Sequence, residues 1–316
     1  MQRIPEVSIM QTLGAILVCA FHAMAGVAEY SLPYNWIHIF VIPLFIHLSG
    51  YLFSYTHGKD RPPVVFLRNK LHRLLLPYFV ISTLVFVPKC LLSDYAMRPL
   101  EFSFSGYLRM LFMPYDNVIV YYWFIPTLFV VLLLSYLFFR YLPASVLRPP
   151  AVLVFFVLLY FISPAASLRV LNIGEAVESL VFFALGYYSC MWQVPTLVRG
   201  HDIVLFIGSL LLSLAFALFN YNALSEFMGA ITGIIMCLSL ASLYLRFGCY
   251  FLKHLEGAYF TIYLLAWFPQ VAVTHLLGGE NSCVPPCVIF LVSLLSGIYI
   301  PLLVHRLYFQ LRSHKN

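Results

Sequence analysis

The sequence predicts an all-α membrane protein: a polytopic bundle of about ten transmembrane helices with both termini in the cytoplasm. Mean hydropathy is +0.92, and charged residues make up only 9% of the 316 residues. Ten apolar stretches long enough to cross a bilayer follow one another with short loops between them. Since backbone groups in lipid must satisfy their own hydrogen bonds, helices are the expected form, and we expect residues 1–316 to form a single membrane domain.

The apolar pattern sets the order of the predicted spans. We place them at 8–29, 35–56, 74–93, 117–139, 147–163, 174–192, 203–221, 224–245, 257–277 and 285–305. An even number of crossings puts the two chain ends on the same side of the membrane.

Charge assigns the loops to sides. Of the 18 Lys and Arg residues, fourteen lie on the side of the N-terminus, and the other four are Lys89, Arg98, Arg109 and Arg169. The 12 acidic residues divide as four and eight, which gives +10 on the first side, −4 on the second and the total of +6. Because cytoplasmic loops carry the excess of Lys and Arg, the side with the termini is predicted to be cytoplasmic.

Composition also excludes several classes of protein. No run of Lys and Arg is long enough to predict nucleic-acid binding. The first apolar run is too long for a cleaved signal peptide and lacks a cleavage site. Cys283 and Cys287 share an outer loop, where a disulfide is an open alternative, but the loop has too few ligands for zinc. We expect no bound metal and no permanently bound cofactor.

Helix one carries the most informative polar residues. Gln11, His22 and Glu29 are separated by intervals close to three and two whole turns, so a continuous helix would place them on one stripe. A histidine can accept a proton from a hydroxyl near neutral pH. The alternative is that His22 only hydrogen-bonds a neighbouring helix.

Helix two contains His38 and His47, which lie on opposite faces because nine residues separate them. Pro43 removes a helical hydrogen bond and Gly50 permits close packing, so we expect a bent helix that lines a pore or a cleft. His38 is predicted at the outer interface. A structural and a functional role for His47 remain equally open.

A basic loop precedes span three. It places Arg68, Lys70, His72 and Arg73 within six residues at the predicted cytoplasmic surface. Such a cluster suits phosphates, either of lipid headgroups or of a nucleotide-containing donor, although anchoring by the positive-inside rule would also account for it. Residues 66–78 are predicted to form an amphipathic helix that runs into span three, and residues 106–112 a short helix at the outer interface.

Five segments, in this order, resemble motifs of the acyltransferase-3 family of bacterial integral-membrane acyltransferases. They are LGAILVCAFH at 13–22, PLFIHLSGYL at 43–52, LRNKLHRLLLPY at 67–78, WFIPTLF at 123–129 and LEGAYFTIYLL at 255–265. Two positions depart from the family pattern. Gln11 stands where the family has Arg or Lys, and Ala266 where the late motif ends in histidine.

The resemblance implies an O-acyltransferase of the bacterial cytoplasmic (inner) membrane. It would transfer an acyl group, commonly acetyl, from acetyl-CoA or another acyl-CoA to a hydroxyl of a lipid-linked or polymeric saccharide. Exopolysaccharide, capsule and O-antigen units are the implied acceptors. We expect a cleft between helices one, two and four, with catalytic residues His22, Gln11 and His47, donor-binding residues Arg68, Lys70 and Arg73, and cleft residues Glu29, Ser49 and Trp123.

Two other functions fit parts of the pattern. A transporter or flippase of a lipid-linked sugar would also need many helices and buried polar groups, but it does not explain the ordered motifs. A non-catalytic, acyltransferase-like subunit of polysaccharide export would explain the departures at Gln11 and Ala266.

Overall fold

The computed structural model describes residues 4–25, 30–91, 102–143, 145–163, 168–218, 222–278 and 283–313. Every regular element in these ranges is helical, which confirms the all-α prediction. The α-helices are α1 (Pro5–Met24), α2 (Ser31–Tyr55), α3 (Pro63–Lys70), α4 (Leu76–Leu91), α5 (Phe104–Phe112), α6 (Phe124–Tyr141), α7 (Pro149–Ile162), α8 (Ile173–Met191), α9 (Val194–Val198), α10 (Asp202–Leu218), α11 (Ala223–Arg246), α12 (Tyr259–Leu265), α13 (Trp267–Leu277) and α14 (Pro286–Ser313).

In the described ranges, seven helical segments are long and apolar enough to cross a membrane, which confirms a multi-pass membrane protein. They are Pro5–Met24, Ser31–Tyr55, Pro63–Leu91, Val120–Tyr141, Val170–Met191, Ala223–Arg246 and Pro286–Leu311. The pair α12 and α13, bent by 44°, would make an eighth. Predicted spans five and seven correspond to α7 and α10, with 14 and 17 residues. At about 1.5 Å per residue these are shorter than a bilayer core of about 30 Å, so ten crossings stay a prediction.

The predicted end of helix one is wrong. Pro5 stands at the first turn of α1, where its missing N–H costs nothing. The helix ends at Met24, because Ala25 has extended backbone angles (φ −60°, ψ 128°) and its N–H turns back to the His22 carbonyl at 3.3 Å. Of the predicted stripe, Gln11 and His22 lie on α1, and Glu29 lies outside the described residues.

The chain forms two compact units. Unit 1 consists of Met1–Leu48 and Gln193–Asn316, and unit 2 of Ser49–Trp192. In unit 1, α1 packs against α11, α12, α13 and α14. Gly14 brings α1 close to α2, since a Cβ there would lie 2.8 Å from the Phe45 ring.

Unit 2 has an aromatic core. The Phe66 ring stacks on Tyr136 at 4.2 Å, and the Phe139 ring stacks on Tyr187 at 4.1 Å. Gly50 of α2 lies against the backbone carbonyl of Phe183, where any side chain would clash. The predicted interfacial helix is present as α5, and the Ser103 hydroxyl caps it by accepting from Gly106 N–H at 3.0 Å.

Ion pairs join charges that the predicted topology puts on the same side. In unit 1, Glu6 accepts hydrogen bonds from the Arg199 guanidinium, and Arg246 donates to Asp202 at 2.8 Å. Both carboxylates are only 1% exposed, so their arginines compensate an otherwise expensive burial. The bond to Glu6 raises the pKa of Arg199, which lies outside the apolar helices.

Candidate functional site

His22 occupies the last turn of α1 and is half-buried. The Phe21 ring meets its imidazole edge-on, with 5.1 Å between the ring centroids. Phe21 also stacks on Tyr34 of α2 at 4.2 Å, so α2 and the end of α1 are joined by aromatic contacts. His38 continues this stack at 5.6 Å from Phe21 and is exposed. The imidazole of His22 is thus held beside aromatic rings of α1 and α2 and stays partly exposed.

Gln270 of α13 was missed by the sequence reasoning. Its Nε2 donates to the backbone carbonyl of Cys19 at 2.8 Å, one helical turn before His22. The side chain fits because Gly297 of α14 has no Cβ, and a Cβ added there would stand 3.0 Å from the Gln270 amide. The one signal in the sequence was an amide inside the apolar stretch 257–277.

Gln270 is 4% exposed, and its Oε1 has no hydrogen-bond partner among the described residues. The orientation of the amide follows from its donor bond, since a flipped amide would put two acceptors together. A buried acceptor without a donor costs about 1–3 kcal/mol, so native proteins rarely keep one. This carbonyl oxygen therefore costs stability, since no described residue donates to it.

His47 of α2 is a second buried polar group of this kind. It is 7% exposed, and its Nδ1 has no partner in the described part of the chain. Gln11 lies on α1, half-buried, three turns before His22. These three predicted catalytic residues all belong to unit 1. Their roles in catalysis stay a prediction.

The basic segment belongs to unit 2 and is helical, as predicted. Between α3 and α4, residues Leu71–Leu75 form a π-helical turn, in which Leu76 N–H bonds to the Leu71 carbonyl. Pro77 accounts for this wider turn, because it has no N–H to donate to the carbonyl one turn earlier. Single π-helical turns inside α-helices occur frequently at functional sites.

Four basic side chains lie on or near this turn and have no acidic partner among the described residues. The Lys70 ammonium lies 5.5 Å from the centre of the Phe66 ring, and Arg73 and Arg61 are its electrostatic neighbours. Arg68 and Arg73 are exposed. In the ranges that the structure describes, none of these four cations forms a salt bridge. We call Arg61, Arg68, Lys70 and Arg73 the basic cluster.

The end of α6 fixes the backbone that carries the basic cluster. The Arg140 guanidinium donates to the Lys59 carbonyl at 2.8 Å and to the Arg61 carbonyl at 2.9 Å. The Tyr136 hydroxyl donates to the same Arg61 carbonyl at 2.7 Å. Arg61 was not predicted as a site residue, because it lies outside the 66–78 motif.

Trp123 and Ser49 complete the predicted set. Ser49 is half-buried at the start of unit 2. Trp123 stands just before α6 and stacks on Tyr115, with 5.4 Å between ring centroids and 20° between ring planes. The Tyr115 hydroxyl donates to Glu175. Burial first, and then this bond to a carboxylate, raise the pKa of Tyr115, so the phenol stays a donor well above neutral pH.

The late motif forms α12 and breaks at Ala266, the residue between α12 and α13. The position where the family has histidine therefore lies at the bend. An imidazole still bonds to this motif, because His305 of α14 lies 3.0 Å from the Thr261 hydroxyl through its Nδ1.

Of three comparisons with known proteins, one finds a match, which is to a protein family. The model of a protein family described as "Acyltransferase domain" matches residues 4–306. The match includes all five motifs and extends through both compact units. Comparison with curated proteins and with solved structures gives no match.

Proposed function

The chain belongs to the acyltransferase-3 family, and from that premise we propose that it moves an acyl group from acyl-CoA to a hydroxyl of a cell-envelope saccharide. Acetyl is the proposed acyl group, and exopolysaccharide, capsule or O-antigen units are the proposed acceptors. The observation that carries the proposal is the half-buried imidazole of His22, in the last turn of a family motif helix. The proposed location is the bacterial inner membrane.

The donor is proposed to bind through its phosphates. Coenzyme A carries a pyrophosphate and a 3′-phosphate, and the basic cluster offers four cations without salt-bridge partners in the described ranges. Arginine binds phosphate oxygens through two parallel N–H bonds, which gives orientation as well as charge. The aromatic contact of Lys70 and the bonds of Arg140 hold the cluster in place before the donor arrives.

The chemical step is proposed at His22. Its imidazole accepts the proton of the acceptor hydroxyl while the oxygen attacks the thioester carbonyl. The tetrahedral intermediate then collapses, the C–S bond breaks, and the imidazolium returns the proton to the coenzyme A thiolate. The products are an ester on the saccharide and free coenzyme A, so neither oxidant nor metal enters the balance.

Nearby polar groups support this step in the proposal. Gln11 and His47 can each donate a hydrogen bond to a reactant or to the developing oxyanion. Gln270 acts as a positioning residue, since it holds α1 one turn before His22. Glu29, Ser49 and Trp123 stay proposed cleft residues.

The decisive experiment is His22→Ala at unchanged membrane abundance. We expect acyl content of the surface saccharide to fall to background, since loss of a general base costs about 100-fold or more in rate. The matched control is His275→Ala, which removes an exposed imidazole from α13. Mass spectrometry of the released glycans identifies the acyl group by its mass difference.

The same experiment separates the alternatives. Unchanged acylation in the His22→Ala strain would overturn the mechanism. Loss of the polymer itself, rather than of its acyl groups, would point to a non-catalytic export subunit. Purified protein that moves a labelled lipid across vesicles without consuming acyl-CoA would point to a flippase.

A further inference from the structure

A cavity of about 290 Å³ lies in unit 2, and none of its lining residues takes part in the proposed acyl-transfer step. Its walls come from the segment before α6, from the turn before α8, and from the first turn of α8. The lining residues are Met113, Tyr115, Asp116, Leu168, Arg169, Asn172 and Glu175. The charge distribution assigns this end of unit 2 to the extracytoplasmic side.

The walls offer hydrogen-bond donors and hydrogen-bond acceptors beside the aromatic ring of Tyr115. Asp116 and Glu175 present carboxylate acceptors, and Arg169 presents guanidinium donors. Arg169 forms no salt bridge with any residue in the described ranges. Tyr115 adds an aromatic surface, backed by the stacked ring of Trp123. Saccharides carry hydroxyls that donate and accept, and apolar C–H faces that pack on aromatic rings.

Charge balance argues against an ionic ligand. Asp116 is already neutralised by Arg109, whose Nε donates to it at 2.7 Å. Glu175 and Arg169 are then the two remaining charges of the lining, and they have opposite signs. Glu178 interacts electrostatically with Tyr115 but does not line the cavity. A phosphate or a simple cation would gain little net attraction, whereas a neutral polyhydroxyl ligand can use both charges as hydrogen-bonding partners.

The backbone that forms one wall is strained. Leu171 and Asn172 have φ angles of 50° and 54°, in the left-handed region, and neither is glycine. Each such residue costs of order 1 kcal/mol, and strain of this kind clusters at ligand sites. The Asn172 amide holds the turn by donating to the Trp123 carbonyl at 3.4 Å and to the Thr127 hydroxyl at 3.3 Å. This geometry brings Arg169 and Glu175 to one cavity.

We infer that this cavity binds the saccharide acceptor, through hydroxyl bonds to Glu175, Arg169 and Asp116 and through a ring face on Tyr115. The inference rests on the proposed function for the identity of the acceptor. A volume of about 290 Å³ is at the small end of known ligand pockets, so it holds one end of a longer saccharide.

The test is photocrosslinking in cells that make the native envelope. Leu168 lines the cavity and is exposed, so Leu168→p-benzoylphenylalanine places a light-activated group beside the ligand. We expect an adduct on the full-length protein with the mass pattern of hexose or aminohexose units. The control is Leu224→p-benzoylphenylalanine, at an exposed position in the first turn of α11 on the same predicted side.

Two further variants tie the adduct to the cavity. Glu175→Gln and Arg169→Gln are each expected to lower the yield of the Leu168 adduct about tenfold, the loss expected for a hydrogen bond to a charged group. Glu226→Gln changes the corresponding first-turn carboxylate of α11 and should leave the yield unchanged.

The outcomes distinguish the two proposals. A lipid or peptide adduct, equal adducts from positions 168 and 224, or no adduct at wild-type abundance would overturn the cavity assignment. If His22→Ala abolishes acylation while no saccharide adduct forms, the cavity assignment alone fails. If the adduct forms but acylation is unchanged in the His22→Ala variant, the catalytic proposal fails and the cavity assignment is kept.

Discussion

At the scale of single residues, two buried polar atoms in unit 1 stand out. His47 Nδ1 and Gln270 Oε1 have no partner among the described residues, although both side chains are under 10% exposed. Each buried polar atom without a partner lowers the free energy of unfolding by about 1–3 kcal/mol. Gln270 also makes one good bond, to Cys19 beside His22. The bond of its Nε2 stabilises the fold, and the unpartnered Oε1 destabilises it. Because the two effects offset each other, we expect Gln270 to contribute more to acyl transfer than to stability.

Gln270→Met tests this expectation. Methionine has nearly the same volume, so the packing against Gly297 is kept while both the bond and the orphan oxygen are removed. We expect the free energy of unfolding to change by less than about 1 kcal/mol, because the two effects offset each other. Acyl transfer should fall about tenfold or more. Thermal unfolding and transferase assays on the same preparation measure both quantities.

The control is Gln270→Glu, which puts a carboxylate oxygen opposite the Cys19 carbonyl. That variant should lose stability strongly, since an unpaired charge is buried. Full activity in a stable Gln270→Met protein would reduce Gln270 to a packing residue.

At the scale of elements, the π-helical turn between α3 and α4 determines where the basic cluster lies. Residues Leu71–Leu75 add a wider turn to a helix that otherwise runs from Pro63 to Leu91. The stack of Phe66 on Tyr136 anchors the first half in unit 2. Helical periodicity alone would assign wrong relative directions to side chains on opposite sides of this turn, by roughly one residue or 100°.

Arg68→Gln and Arg73→Gln should each raise the KM for acyl-CoA about tenfold, with a smaller effect on kcat. A lost charge-assisted bond to phosphate has this size, and it acts mainly on binding. Both variants should also show a weaker dependence of KM on ionic strength, because one screened attraction is gone. Steady-state kinetics of the protein in nanodiscs provide the measurement.

Arg148→Gln is the matched control, since Arg148 is an exposed arginine of the same unit at the start of α7. Its KM should equal that of the wild type. If Arg68→Gln and Arg73→Gln also leave KM unchanged, the basic cluster only anchors the protein to the membrane surface.

At the scale of the whole molecule, topology decides which groups meet the donor and which meet the acceptor. Helices α7 and α10 are shorter than an ordinary bilayer core, and α12 and α13 are bent against each other. Ten crossings therefore require a locally thinned bilayer or flanking residues that complete the span. Two ion pairs, Glu6–Arg199 and Asp202–Arg246, are consistent with this count, because each joins two segments that ten crossings place on one side.

Native cysteines give a direct test of the ten-span topology. Cys283 and Cys287 are both free and exposed, and are predicted outside, whereas Cys249 is predicted inside. A membrane-impermeant maleimide should label single-cysteine proteins retaining Cys283 or Cys287 in intact cells. It should label the Cys249 protein only after the membrane is opened. Labelling of Cys249 from outside would mean an odd number of crossings before it.

Glu6→Gln tests how the start of the chain is held in unit 1. The pair with Arg199 joins positions 193 residues apart, and the Glu6 carboxylate is buried. Breaking it should lower the free energy of unfolding by about 2–4 kcal/mol, near the lower end for buried pairs because Arg199 is partly exposed. Asp60→Asn, at an exposed carboxylate, is the control and should leave the unfolding temperature unchanged.

The sequence by itself determined the helical class, the family and the order of the motifs. The helical class follows from hydropathy and periodicity, whereas the family follows from the resemblance of five ordered motifs to those of known members. It also made His22, Arg68 and Arg73 candidate site residues, because polar residues in apolar surroundings and clustered cations are visible without coordinates, and their roles stay a prediction.

Only the tertiary structure decided where α1 ends, which residue supports His22, and where a cavity forms. Helix α1 ends at Met24 because the next residue, Ala25, has extended backbone angles. The apolar run of 8–29 does not reveal this change. Gln270 meets Cys19 across 251 residues, and the cavity brings together two separate segments of unit 2, 113–116 and 168–175. Contacts between distant segments depend on how helices pack, and helical periodicity specifies a buried face but not the partner that covers it.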